Sequence, residues 1–167
     1  MKNYYNFQES EYEISYEPYL YDKGDTLTYI ILGIALIIGG FILAVLKIYE
    51  EAVFVGYIIG GLLLIMGLYR WFVKSKTRLV FDKQNDAVFK ISPMGKTKLI
   101  ALSNVYNIIT VSENMSFSYE LTSRSKPSAK SIPITSFITG RRQKRPEIIF
   151  LEDTIIPAVR EMIHLSK

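Results

Sequence analysis

The side chains able to do chemistry in this chain are few and mostly cationic. Arg70, Lys74, Lys76 and Arg78 stand close together in "LYRWFVKSKTR", residues 68–78, with Tyr69 and Trp71 among them. Cations beside amphipathic rings have two uses. They can hold anionic lipid headgroups, where each charge near such a surface contributes about 1 kcal/mol. They can also mark the border between lipid and water, with the rings at headgroup level and the cations fixing which side stays inside. A second basic cluster, "RRQKR", carries Arg141, Arg142, Lys144 and Arg145. Such a run serves as a solvated loop or as a contact for headgroups, RNA or an acidic partner. No aromatic stacking set or known module surrounds it, which argues against nucleic acid.

The rest of the chemical inventory is sparse. There is no cysteine, so disulfides, thiolate catalysis and cysteine metal sites are excluded. The single histidine, His164, stands near the C-terminus without a base partner or a ligand set at metal spacing. No nucleophile elbow, phosphate-binding loop, zinc motif or paired-carboxylate arrangement is present. The sequence therefore predicts a non-enzyme, with no catalytic residue, cofactor or metal.

Charge and hydropathy divide the chain. Residues 1–25 carry two Lys against six Asp and Glu, a net of −4, and are rich in Tyr. They have neither a basic start nor an early apolar core, so they are not expected to act as a signal peptide. From residue 70 to the end, 17 Lys and Arg face 8 Asp and Glu, a net of +9. A basic region behind an acidic one points to a membrane surface, nucleic acid or an acidic partner. The tail's Tyr12, Tyr16, Tyr19 and Tyr21 suit a segment lying on protein or on the interface, and its acids can dock on the basic region of this copy or another. A disordered tail is the other reading.

Residues 26–73 read as a transmembrane hairpin. "LTYIILGIALIIGGFILAVL", residues 27–46, has no charge, and 20 residues at about 1.5 Å each span about 30 Å of hydrocarbon. Residues 52–73 contain only Arg70, near their end. The linker "KIYEE" is short enough to force antiparallel helices. Lys47 alone lies in the turn, against four cations after the second helix, so both termini are expected in the cytoplasm. Ala35, Gly39, Gly40 and Ala44 on the first helix, and Gly56, Gly60 and Gly67 on the second, recur at one-turn spacing. They predict close packing, either within the hairpin or against another membrane subunit or copy. No acid or histidine lies at membrane depth, which argues against an ion pathway.

Residues 74–167 change period. "TRLVF", "AVFKIS", "TKLIAL", "VYNIITV", "SFSYELT", "SIPITSF" and "EIIFLE" predict seven strands in hairpin order. "DTIIPAVREMIHLSK" then sets Ile155, Ile156, Val159, Met162 and Ile163 on one helical face, with Asp153 or Thr154 as cap and Pro157 in the first turn. That helix would cover an open end or face of a bent sheet.

Seven antiparallel strands and a C-terminal helix resemble a pleckstrin-homology (PH) domain. With the helical hairpin in front, the layout is similar to bacterial PH-like membrane proteins. "LVFDKQNDAVFKIS", "TKLIALSNVYNI" and "EIIFLEDTIIPAVREMI" carry the resemblance. It implies a membrane-anchored α+β protein whose PH-like part is a seven-stranded bent antiparallel sheet or barrel on the cytoplasmic face of a bacterial inner membrane. It transfers no single activity. Phosphoinositide-binding PH domains use cations around the first hairpin, where "DKQNDA" has one Lys and two Asp. The expected role is an accessory or assembly subunit acting through protein–protein contact. The alternative is a module that senses or organises anionic lipid.

Overall fold

The structure is a computed structural model and describes residues 4–47, 50–125, 131–140 and 143–165. It is α+β, with two compact units. One comprises Tyr21–Ser75; the other joins Met1–Leu20 to Lys76–Lys167.

The helical unit holds α1 (Lys23–Val45) and α2 (Glu50–Phe72). Both form because long runs of Leu, Ile, Ala and Gly contain no proline and no interior charge before Arg70. Leu46 and Lys47 end the first helix, with Lys47 in the left-handed region at φ 53°. Each helix is long and apolar enough to cross a membrane, by length and composition. Only 11% of the residues in each apolar window are buried, so the contact between the helices covers one stripe of each.

The other unit is built on two antiparallel sheets. The first has the order β1 (Gln8–Glu9), β2 (Glu13–Tyr16), β3 (Arg78–Asp82), β4 (Ala87–Ser92) and β5 (Gly95–Ile100). The second pairs β6 (Val105–Glu113) with β7 (Ser116–Ser123), and β7 also pairs β8 (Ile132–Pro133) and β9 (Ile138–Thr139). Among the described residues from Arg78 onward, seven strands precede the C-terminal helices.

The acidic N-terminal segment is not a separate tail. Ile14 lies opposite Phe81 and Tyr16 opposite Leu79, so β2 is a full neighbour of β3. Tyr16 is completely buried. Its ring stacks on Phe81 at 6.2 Å, and its hydroxyl donates to the Ile134 carbonyl at 2.9 Å. Burial raises that hydroxyl's pKa well above the ordinary tyrosine value, so it stays a donor. Phe7 meets Phe150 edge-on at 6.0 Å, and Tyr4 approaches the same ring at 5.6 Å.

"EIIFLE" is not a strand. Pro146 opens α3 (Pro146–Phe150), which runs through a π-helical turn (Leu151–Ile155) into α4 (Ile156–Leu165). Pro146 is preset for a first helical turn, and Ile148, Leu151 and Ile155 then fall on one buried face. Asp153 and Thr154 therefore lie inside the helical run and do not cap it, and Pro157 is interior. A proline there cannot donate to the carbonyl four residues back and crowds it. The wider π turn just before Pro157 accommodates both defects. Leu151, Ile155, Val159 and Ile163 complete the core with Val88, Leu102, Leu121 and Ile138.

The N-terminal strands should be required for folding. Tyr16→Ala should cost roughly 3–5 kcal/mol, and Tyr16→Phe about 1–3 kcal/mol through the orphaned carbonyl. Thermal unfolding of the full chain checks this. Equal melting of wild type and Tyr16→Ala would contradict it.

Candidate functional site

The cations expected as one junction patch belong to two different units. Arg70 and Lys74 are in the helical unit, Lys76 and Arg78 in the sheet unit. Arg70 lies on the last turn of α2, where its guanidinium sits over the Tyr29 ring at 5.1 Å. Cation–π attraction of this kind contributes about 0.5–2 kcal/mol, more where water is excluded. The Arg70 Nε is buried and makes no hydrogen bond to the described residues. Lys74 pairs with Asp22 at 3.8 Å, next to the start of α1. Within the sheet unit, Arg78 donates to Gln8 Oε1 at 3.1 Å and pairs with Glu17 at 3.6 Å. It ties β3 to the N-terminal strands. Lys76 is exposed. Tyr69 and Trp71 are exposed on α2, and the Ser75 hydroxyl bonds the Trp71 carbonyl.

Of the second basic cluster, Arg141 and Arg142 lie outside the described residues. Lys144 is exposed. Arg145 is the extended residue that opens α3 and pairs with Glu147 at 3.7 Å. The cluster stands between β9 and α3, not between two strands. His164 is exposed in the last turn of α4.

The small residues of the helices divide sharply. A Cβ on Gly60 would lie 2.9 Å from the Gly33 carbonyl oxygen and 2.8 Å from Ile37. A Cβ on Gly33 would meet the Gly60 oxygen at 2.9 Å, and one on Gly67 would meet Ile30 at 2.7 Å. Gly40 and Gly56 face the opposite helix more loosely, at 3.4 Å and 3.5 Å. Gly39 faces open space, and Ala35 and Ala44 are exposed. Packing within the hairpin thus uses Gly40, Gly56, Gly60 and Gly67, and leaves Ala35, Gly39 and Ala44 out. Gly33, the tightest partner on α1, was not among the residues singled out from spacing. Its spacing of one turn from Ile37 and two turns from Gly40 was the available signal.

In the "DKQNDA" loop both carboxylates are committed to the backbone. Asp82 accepts from the Asn85 N–H at 2.9 Å and from its side-chain amide at 2.6 Å. Asp86 accepts from the Ser103 N–H and hydroxyl, each at 2.7 Å. Partial burial works against the Asp82 charge, but the Asn85 bonds outweigh it and lower the pKa. The Ser103 bonds lower that of Asp86. Both stay ionised, so the loop repels an anionic headgroup. Tyr119 donates to Glu152 at 3.1 Å, and burial together with that carboxylate pushes its hydroxyl up to about 12. Among the described residues no group of three or more His, Asp or Glu side chains could hold a metal.

No protein-family model, curated protein or solved structure matches this chain.

The glycine contacts predict an asymmetric response. Gly33→Ala and Gly60→Ala place a methyl against backbone, which cannot move aside, and should lower the melting temperature of the full chain in mild detergent. Gly39→Ala should leave it unchanged. Equal effects at Gly39 and Gly60 would contradict the packing.

Proposed function

We propose that this chain is a non-catalytic integral membrane protein whose two-helix anchor presents a PH-like domain at the cytoplasmic face. There it acts as an accessory or assembly subunit through protein–protein contact. The observation that carries this reading is the pair of uncharged helical faces. α1 and α2 are held together by glycine contacts, yet most of their Leu, Ile and Phe side chains remain exposed. Surface of that size and composition is stable in lipid and not in water.

Topology supports placing both termini on one side. The chain leaves the sheet unit after β2 and returns to it at β3, and those strands are paired. A folded sheet cannot straddle a bilayer, which supports both ends of the hairpin emerging on the same face. The Lys and Arg balance of the flanks favours the cytoplasm. The order of seven strands and a helical C-terminus after Arg78 supports the PH-like description. The resemblance in layout supports a membrane of bacterial inner type.

A lipid-sensing or lipid-organising role is the second reading. Exposed Lys76 and Lys144 favour it. The partners on Arg78, Arg145 and Lys74 reduce the charge left for headgroups.

Alkaline extraction of membranes should leave the chain in the pellet, and gentle native purification should recover it with other protein subunits. Release into the supernatant would overturn the anchor. Recovery only as a lone monomer would overturn the subunit role.

A further inference from the structure

Among the described residues, every sheet edge in this unit except one is short or carries charge along its length. β1 is two residues long and carries Glu9. β5 carries Lys96 and Lys98. β8 and β9 are two residues each. Short strands and edge charges are the usual means by which proteins prevent further strand addition. β6 is nine residues long, pairs among the described residues with β7 alone, and has no charge from Val105 to Ser112, its one charge being Glu113 at the turn end.

The register identifies which β6 groups face outward. Glu113 and Ser116 flank the two-residue turn Asn114–Met115, where both residues have positive φ, at 44° and 62°. Flanking residues of such a hairpin exchange hydrogen bonds, so Asn107, Ile109, Val111 and Glu113 bond inward to β7. Ile108, Thr110 and Ser112 then present their N–H and C=O to the free edge. The Ile108 N–H agrees: it donates to the Asn107 side chain at 2.8 Å. Tyr106, Ile109, Thr110 and Ser112 are exposed along this strand.

We infer that β6 is the pairing edge for a second copy of this chain, with two β6 strands antiparallel about Ile109. The sequence is self-complementary in that register. Thr110 of one copy exchanges hydrogen bonds with Ile108 of the other, displacing the Asn107 side chain. Ile109 faces Ile109 as a pair without hydrogen bonds, the closer of the two antiparallel spacings. Charge matches as well. Ile109 and Arg124 line one shallow groove with Tyr106, Asn107, Thr122 and Ser123. Glu113 lies on the Ile109 face, at the opposite end of the strand from Arg124. Antiparallel docking brings each Glu113 toward the partner's Arg124 end. This inference goes beyond the membrane-anchoring reading and holds in detergent as well as in a bilayer.

Because the chain has no cysteine, single sulfurs can be placed cleanly. In the full chain in mild detergent, Ile109→Cys should form a disulfide-linked dimer under mild oxidation, since Cα atoms of such a pair lie within about 4.4–6.8 Å. Met94→Cys, on the exposed β4–β5 turn, should not. Adding Thr110→Pro, which removes an outward N–H and spares the β7 ladder, should abolish the Ile109→Cys dimer without lowering the melting temperature. Glu113→Arg should weaken it, and Glu113→Arg with Arg124→Glu should restore it. No Ile109→Cys adduct, an equal yield at Met94→Cys, or a yield unaffected by Thr110→Pro would overturn the pairing.

Discussion

β2 and β3 lie side by side in one sheet although the whole helical hairpin separates them in sequence. Closing a loop of that length costs configurational entropy, which grows only slowly with length but must be offset before the strands gain anything. The antiparallel helices reduce that cost by returning the chain toward the point it left. Gly33, Gly60 and Gly67 are what let the helices approach so closely. In return, Tyr16, Ile14 and Phe81 give the closure its stabilisation through buried apolar surface and one buried hydrogen bond. The helical unit and the sheet unit are thus coupled through chain connectivity.

Much of this was legible in the sequence, and the reasons for the misses are physical. The helices declared themselves because uninterrupted apolar runs have few alternatives. The strands from residue 78 to 123 showed period-two alternation bounded by turn residues. The N-terminal strands showed it too: Tyr12, Ile14 and Tyr16 interleave with Glu11, Glu13, Ser15 and Glu17. The net negative charge drew attention away from that alternation. "EIIFLE" is rich in β-branched and aromatic residues, and local propensity favoured a strand. Tertiary burial of Ile148, Leu151 and Ile155 favoured a helix, and the helix prevailed. Gly33 could not be ranked above Gly39 by spacing alone, because rotation about the helix axis is set by the opposite helix.

The candidate chemistry changed character in the same way. Three residues that read as members of two basic clusters are structural ties. Arg78 holds the N-terminal strands, Arg145 opens a helix, and Lys74 meets Asp22. Lys76 and Lys144 stay exposed, and Arg70 is held over an aromatic ring, its Nε without a hydrogen bond to the described residues. The loop where a phosphoinositide reader would place cations instead holds two ionised aspartates.

The proposed function requires a lipid-crossing hairpin with the whole sheet unit on the cytoplasmic side. Single-cysteine labelling of intact cells with a membrane-impermeant maleimide tests this most directly. Lys47→Cys, in the turn between the helices, should label from outside. Met115→Cys, fully exposed at the tip of the β6–β7 hairpin, should label only after permeabilisation. Labelling of Met115→Cys in intact cells, or protection of Lys47→Cys there, would contradict the account.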